Sequence, residues 1–437
     1  MTRQKRQRPN RSVNLRGWVI AGAYVAASII LGLILPRLEN AYLPSLAHGM
    51  SASAALAFFS AVSSGMMALT GIVFAVAFVI VQFGAVAYSP RLVVMFTGNP
   101  RLYHALGIFF ATFGYSLAAL AWTDRGGTGV VPLLSTMLVG LLVIASMFAF
   151  VGMVNSLNDM QIHNVLRIVG ERGRQVIAEM YRPLIGDGCD RTPSDCGLTA
   201  SLGPVTQTIT YTGGPQAIAS FDTTTLMRLA ESIGGVIELD YAVGDTALRS
   251  TTFARVRAAH RALDEAALMH AVELADSRTM EQDPKYPIRL LVDIAIRALS
   301  PAVNDPTTAV QALDQIEDLL RLLGESDLGI GQICDARGEL RVIVPVPTWH
   351  DYLSLSFDEI RQFGVTSVQV LRRLRSALSG LAAIASNEER RQETTRYLRH
   401  LDLDVERSAF DKTDRATARQ EDRQGLGMPH ERSVPAP

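Results

Sequence analysis

The residues most able to do chemistry in this chain lie between positions 278 and 308. The run opens Arg278-Thr279-Met280-Glu281-Gln282-Asp283-Pro284 and closes Ser300-Pro301-Ala302-Val303-Asn304-Asp305-Pro306-Thr307-Thr308. Between them Arg289, Asp293 and Arg297 recur every fourth residue, the spacing that stacks side chains along one helix face. Two arginine forks with a carboxylate between them have two uses. They can hold a small anion, phosphate or carboxylate, in bidentate hydrogen bonds, helped by a helix start at Asp305. Alternatively they form a buried ion network that fixes how helices meet, with Asp293 already neutralising part of the arginine pair. The candidate ligand-binding set is Arg278, Asp283, Arg289, Asp293, Arg297, Asn304 and Asp305. No nucleophile or general base stands out in it, so no residue is assigned a catalytic role.

Other chemistries are excluded or thinly supported. Lysine occurs only at Lys5, Lys285 and Lys412, so no Gly-x-x-x-x-Gly-Lys-Ser/Thr phosphate loop exists. HExxH and GxSxG are absent. His270 and Glu273 lie three apart, but a single such pair reads as a surface pair, and neither metal nor cofactor is expected. Cys189 and Cys196 lack the close spacing and companion ligands of a zinc site, and Cys334 lies far away. A disulfide is not expected if this region is cytoplasmic. The net charge of −1 gives no electrostatic case for nucleic acid as a partner.

The elements that must position these residues follow from local signals. Each Asp-Pro pair predicts a helix start, with the aspartate as cap and proline at the first helical position. Leu290, Leu291, Ile294, Ala295 and Ala298 would form the packing side of the first of these helices. Upstream, residues 183–203 are a Gly- and Pro-punctuated linker. Residues 204–257 read as a small β-rich module, with strands at Val205–Tyr211 and Val236–Val243 and a helix over Thr223–Ile233 capped by Asp222. The order is that of a lipoyl-carrier hammerhead, but carrier chemistry needs a lysine and the stretch has none. Residues 258–411 read as a helical domain, with helices over Ala258–Ala275, Ser356–Ser386 and Glu388–Phe410 and one strand at Leu340–Val346. Residues 412–437, charged and without aromatics, read as a disordered tail.

The first half is a different material. The chain is 48% hydrophobic, and apolar residues crowd into positions 17–155. Gly17–Leu35, a stretch within Phe58–Phe83, His104–Trp122 and Val130–Val154 each suit the roughly 20 residues that cross about 30 Å of hydrocarbon. None carries Asp, Glu, Lys or Arg at its centre, where a charge would cost about 2.5–3.5 kcal/mol. Pro36-Arg37-Leu38-Glu39 stands where a leader peptide would need small residues, so the first span reads as an uncleaved anchor.

Basic residues set the expected orientation. Arg3, Lys5, Arg6, Arg8, Arg11 and Arg16 fill residues 1–16. Arg91 and Arg101 lie in the second connection, and Arg167, Arg172, Arg174 and Arg182 follow the fourth span. The other two connections hold only Arg37 and Arg125. By the positive-inside rule both termini and the whole second half are cytoplasmic. Residues 156–182, apolar at helical spacing, read as a stalk carrying the cytoplasmic domain.

The second span contains a candidate pathway. No residue from Gly49 to Pro90 is charged, and at helical spacing Ser60, Ser64, Gly71, Ala75 and Gln82 share one face. This seam either lines a permeation path or supplies the small residues and hydroxyls of tight helix packing.

Several stretches together carry a resemblance. They are Met66-Met67-Ala68-Leu69-Thr70-Gly71-Ile72-Val73-Phe74, Tyr88-Ser89-Pro90-Arg91-Leu92, Glu281-Gln282-Asp283-Pro284, Leu291 to Pro301 with Asn304 to Ala309, and Phe357 to Gly364. Over roughly residues 15–400 the chain resembles the DUF2254 family of predicted bacterial membrane proteins. The resemblance implies a bacterial inner-membrane location and brings no activity, substrate or catalytic residue.

The expected fold class is a polytopic α-helical membrane domain of four transmembrane helices followed by a mixed α+β, mostly helical cytoplasmic domain. Three functions compete. One is an oligomeric channel or transporter with a cytoplasmic regulatory domain. Another is a membrane-anchored sensor or scaffold binding a small anion or a cytoplasmic protein. The third is a membrane-bound enzyme with its site around 278–308. The expected partners are the lipid bilayer and further copies of the chain, since four spans are few for a transporter working alone.

Overall fold

A computed structural model describes residues 11–42, 51–87, 100–122, 131, 133–158, 161–181 and 202–426. The chain divides into two compact units, Met1–Asn164 and Val165–Pro437.

The first unit contains four helices long and apolar enough to cross a membrane. They are α1 (Arg11–Tyr42), α2 (Ala52–Ala87), α3 (Pro100–Trp122) and α4 (Leu133–Asn158). At 1.5 Å per residue α2 extends over about 54 Å, well beyond one hydrocarbon thickness. Outward-facing Ile30, Ile34, Met67, Phe74, Leu141 and Phe148 are exposed, as side chains that meet lipid must be. Several polar groups inside the bundle are paired, although the buried Tyr115 hydroxyl of α3 has no hydrogen-bond partner among the described residues. Thr112 Oγ1 and Ser146 Oγ meet at 2.9 Å between α3 and α4. Glu39, 4% exposed, accepts from Leu134 N at 2.7 Å and Ser135 N at 3.2 Å. That carboxylate of α1 satisfies the first free amides of α4 and complements the positive end of its dipole.

The second unit opens with α5 (Ile162–Met180). Its apolar face, including Val165, Leu166, Val169, Val176 and Ile177, is buried. A Cβ at Gly173 would lie 2.8 Å from Leu319 Cδ1 and 3.1 Å from Pro287 Cβ, so glycine here allows close helix approach. The expected stalk is thus, over 165–180, an integral helix of the second unit. The 183–203 linker, with Cys189 and Cys196, falls outside the described residues up to 201.

Two sheets follow. The strands are β1 (Val205–Thr210), β2 (Gln216–Phe221), β3 (Val236–Leu239), β4 (Thr246–Ala247), β5 (Thr252–Arg257), β6 (Val272–Ala275), β7 (Gln332–Cys334) and β8 (Leu340–Ile343). One sheet runs β1-β5-β3-β8-β7 and the other β4-β2-β6. The β3–β8 pair is parallel; the other pairs are antiparallel. Ile209, Ile218, Phe221, Leu226, Ile237, Phe253, Val256 and Val342 share one core. The module expected to close at 257 therefore takes in β6, β7 and β8 from further along the chain.

Between the strands, α6 (Thr223–Ile233) is capped by Asp222, which accepts from Thr225 N, and ends on Gly234 in the left-handed region. The expected helix over 258–275 is replaced by short α7 (Glu265–His270) and β6. Ala258 takes φ +50°, and Asp264 caps a new start by accepting from Ala266 N, so helix-forming composition is overridden by a turn and a sheet edge.

The helical part comprises α8 (Lys285–Ala298), α9 (Pro306–Gly324), α10 (Trp349–Phe363), α11 (Val368–Ile384), α12 (Glu388–Arg407) and α13 (Lys412–Ala418). The stretch 356–386, expected as one helix, breaks after Phe363, and Ser367 caps α11 by accepting from Val370 N. The expected disordered tail is corrected as well. Asp411 caps α13, and the segment after it is anchored at Asp422, whose Oδ1 accepts from Gln424 N and Gly425 N. Residues 427–437 lie outside the described residues.

Candidate functional site

The 278–308 constellation resolves into two separate centres. The first surrounds Asp283. Proline 284 takes the cap position of α8, and Asp283 Oδ1 accepts from Lys285 N at 3.1 Å. Asp283 is 1% exposed, and its Oδ2 is buried without a hydrogen-bond partner among the described residues. Gly244, at φ +86°, gives this oxygen its space: a Cβ there would sit 2.1 Å from it. Burial lifts the Asp283 carboxyl to about 6, against the pull of Lys285 and Arg278. Nearby, Tyr181 at the end of α5 and Tyr352 of α10 share a buried hydrogen bond of 2.8 Å. Burial pushes the Tyr181 hydroxyl up to about 12 and Tyr352 well above the usual tyrosine range. Lys285 reaches Asp245 at 3.5 Å. The arrangement can hold a proton in an enclosed polar centre where α5, α8, α10 and the Gly244 turn meet.

The second centre is the arginine ladder. Arg289 Nε donates to Asp293 Oδ1 at 2.7 Å, as the spacing predicts. Sequence spacing did not reveal Glu359 of α10, which accepts from Arg289 Nη1 at 2.6 Å and Nη2 at 2.8 Å. The arginine's planar fork therefore meets a carboxylate bidentately across two helices. The bond to Arg289 holds the Glu359 carboxyl below its ordinary value. Arg297 lies eight residues on, about 12 Å along the axis, and has no ion-pair partner among the described residues. The two forks do not converge, and the first is filled by protein carboxylates. The ladder is in this respect an ion network joining α8 to α10.

The remaining candidates are placed as follows. Asp305 caps α9, accepting from Thr308 N at 3.1 Å and Thr308 Oγ1 at 2.6 Å, with Pro306 at the helix start. Asn304 is exposed and takes φ +48°, the turn that reverses the chain from α8 into α9. Arg278 is exposed. His270 ends α7 while Glu273 lies in β6 and accepts from Ser220 Oγ, so that pair is divided between elements. Among the described residues no three His, Cys, Asp or Glu side chains gather as a metal site.

In the membrane unit Ser60, Ser64, Gly71, Ala75 and Gln82 are all exposed. Phe59, Met66 and Val73, on the other side of α2, are buried against the bundle. Ser64 Oγ donates back to Ser60 O at 2.9 Å. Gln82 has no hydrogen-bond partner among the described residues.

Cys334 of β7 is disulfide-bonded, to a partner outside the described residues. The expectation that no disulfide forms is conditional on a cytoplasmic location, and the bond at Cys334 stands against it.

A family model for DUF2254, described as a predicted membrane protein, matches residues 15–380. The chain belongs to the DUF2254 family. It is similar to the uncharacterized proteins Rv1290c of Mycobacterium tuberculosis and Mb1321c of Mycobacterium bovis. Each is 27% identical over 366 residues, covering 81% of this chain and 69% of the relative. No solved structure matches. Within this DUF2254 chain, the Glu281-Gln282-Asp283-Pro284 motif supplies the buried Asp283 carboxyl, and Phe357 to Gly364 supplies the carboxylate that clamps Arg289.

Proposed function

We propose that the protein is the subunit of a homo-oligomeric channel or transporter of the bacterial inner membrane, with both termini and the second unit in the cytoplasm. The observation that supports this is the uncovered face of α2. Its small and hydroxyl-bearing residues, Ser60, Ser64, Gly71 and Ala75, are left open by the chain's own bundle, flanked by exposed Met67 and Phe74, while Phe59, Met66 and Val73 pack inward. Small residues let helix backbones approach closely within a membrane, which fits a second copy on this face. Gln82 continues the face, and an amide left in hydrocarbon without a partner is costly. Copies arranged around this face would put hydroxyls and the amide along a shared axis. The orientation rests on the arginine asymmetry of the connections.

Single cysteines at Ser60, Ser64, Gly71 and Ala75, and at Phe59, Met66 and Val73, test the reading in a variant lacking the native cysteines. A small charged thiol reagent should label the first group only, and oxidation should link copies through it. Protection of all seven positions, without linked copies, would sink the channel reading in favour of a membrane-anchored sensor or scaffold.

A further inference from the structure

A second arginine cluster lies away from the 278–308 constellation, in the helical part of the second unit. Arg321, Arg373 and Arg423 line an open cavity of about 370 Å³ together with Glu317, Ser376, Gly380, Ala383 and Ile384. Its volume falls in the range that holds small ligands.

Each wall has a structural reason. Arg373 of α11 has a side chain only 6% exposed, and two carboxylates of α9 fix it: Nε donates to Asp314 Oδ1 at 2.8 Å and Nη2 to Glu317 Oε2 at 2.6 Å. Glu317 Oε1 also accepts from Arg321 Nε at 2.9 Å and Nη2 at 2.6 Å. One partly buried carboxylate thus braces two guanidinium groups at a set separation. Gly380 makes the floor: a Cβ there would lie 2.6 Å from Arg321 Nη2 and 3.1 Å from Glu317 Oε1. Arg423 arrives from the segment after α13. That segment is held by the Asp422 turn and by Gln369 Nε2 donating to Gly425 O. Asp314 and Glu317 balance Arg321 and Arg373, which leaves Arg423 as the surplus charge. It is exposed and has no ion-pair partner among the described residues.

We infer that this cavity binds a small organic phosphate, with Arg423 and the outer edge of Arg321 on the phosphate. Arg373, held by Asp314 and Glu317, fixes the wall behind it, and Ser376 adds a hydroxyl. The cavity exceeds the needs of a bare phosphate, and Ala383 and Ile384 offer an apolar wall for the organic part. Pre-set guanidinium groups lower the ordering cost of binding. The inference rests on this cavity alone and does not depend on whether the membrane unit conducts.

The test is calorimetric titration of the full chain in detergent with pyrophosphate and with adenosine monophosphate, at ionic strength held constant with chloride. Wild type should bind at least one probe saturably. Arg423→Gln, at an exposed position, should weaken binding about tenfold or more, the size of a lost charge-assisted hydrogen bond. Gly380→Leu, which fills the floor, should abolish it, while Arg337→Gln, at an exposed arginine between β7 and β8, should match wild type. Absence of binding to both probes would overturn the assignment, as would affinities unchanged by Arg423→Gln. Citrate binding in place of either phosphate probe would overturn the ligand class.

Discussion

A buried carboxyl with one oxygen unpaired is a stability statement about pH. Asp283 holds its proton to about 6 in the folded chain, against 3.8 as the ordinary value. The folded state therefore binds the proton more tightly than the unfolded state. Its contribution to stability is complete below pH 3.8 and is lost as pH rises through about 6. That difference corresponds to about 3 kcal/mol as an upper figure. Asp283→Asn mimics the protonated form and retains an acceptor for Lys285 N. Thermal unfolding of the full chain in detergent should show Asp283→Asn more stable than wild type at pH 7.5, with the gap closing towards pH 4. A parallel pair of pH profiles would show that this carboxyl is relieved by another route. The oxygen's isolation could not be read from the sequence, because Gly244, which encloses it, lies 39 residues away and signals only a turn.

At the scale of elements, arginine–carboxylate clamps join the helices of the second unit. Arg289 links α8 to α10, Arg373 links α11 to α9, and Arg361 of α10 pairs with Asp404 of α12. Because Arg289 has two carboxylates, removing one leaves the other. Asp293→Ala or Glu359→Ala alone should cost about 1 kcal/mol, whereas the double variant strands a largely buried guanidinium and should cost about 3 kcal/mol or more. Melting temperatures of the four-member cycle measure this, and simple additivity would make the two carboxylates independent. Half of this clamp was legible: Asp293 follows from i,i+4 spacing, while Glu359 is 70 residues distant and no local rule links it to Arg289. The same contrast holds for whole elements. The four spans, the Asp222 and Asp305 caps and the Thr223–Ile233 helix follow from hydropathy, proline and cap signals. The Ala258–Ala275 stretch misled because its helix-forming residues say nothing of β2, the partner that draws 272–275 into a sheet. The charged segment after Asp411 misled for a related reason. Its low hydrophobicity suits disorder, but its order comes from the Asp422 turn and nearly buried Arg372, which sits 3.9 Å from Asp422.

At the scale of the whole molecule, two physical signals bear on which compartment holds the second unit, and they point opposite ways. Arginines concentrate on the side of the N-terminus, the second connection and the stretch after α4, which argues for the cytoplasm. A disulfide at Cys334 argues for an oxidising compartment, since cytosolic thiols are kept reduced. The two are compatible if Cys334 is reduced in the growing cell and pairs on exposure to oxidant, because the chain's reduction potential is then set against the compartment's. The three cysteines make this countable. Alkylation in rapidly acid-quenched cells, followed by denaturation and mass measurement, should find all three thiols free under the proposed orientation. The same protein purified aerobically should present one free thiol, the other two joined. Reporter fusions after Asn155 and at the C-terminus should report the cytoplasmic side in the same cells. One free thiol in the quenched cells, together with a translocated reporter, would reverse the orientation. It would place the Asp283 centre and the Arg423 cavity outside the cell membrane, where the organic phosphate would have to be an extracytoplasmic one.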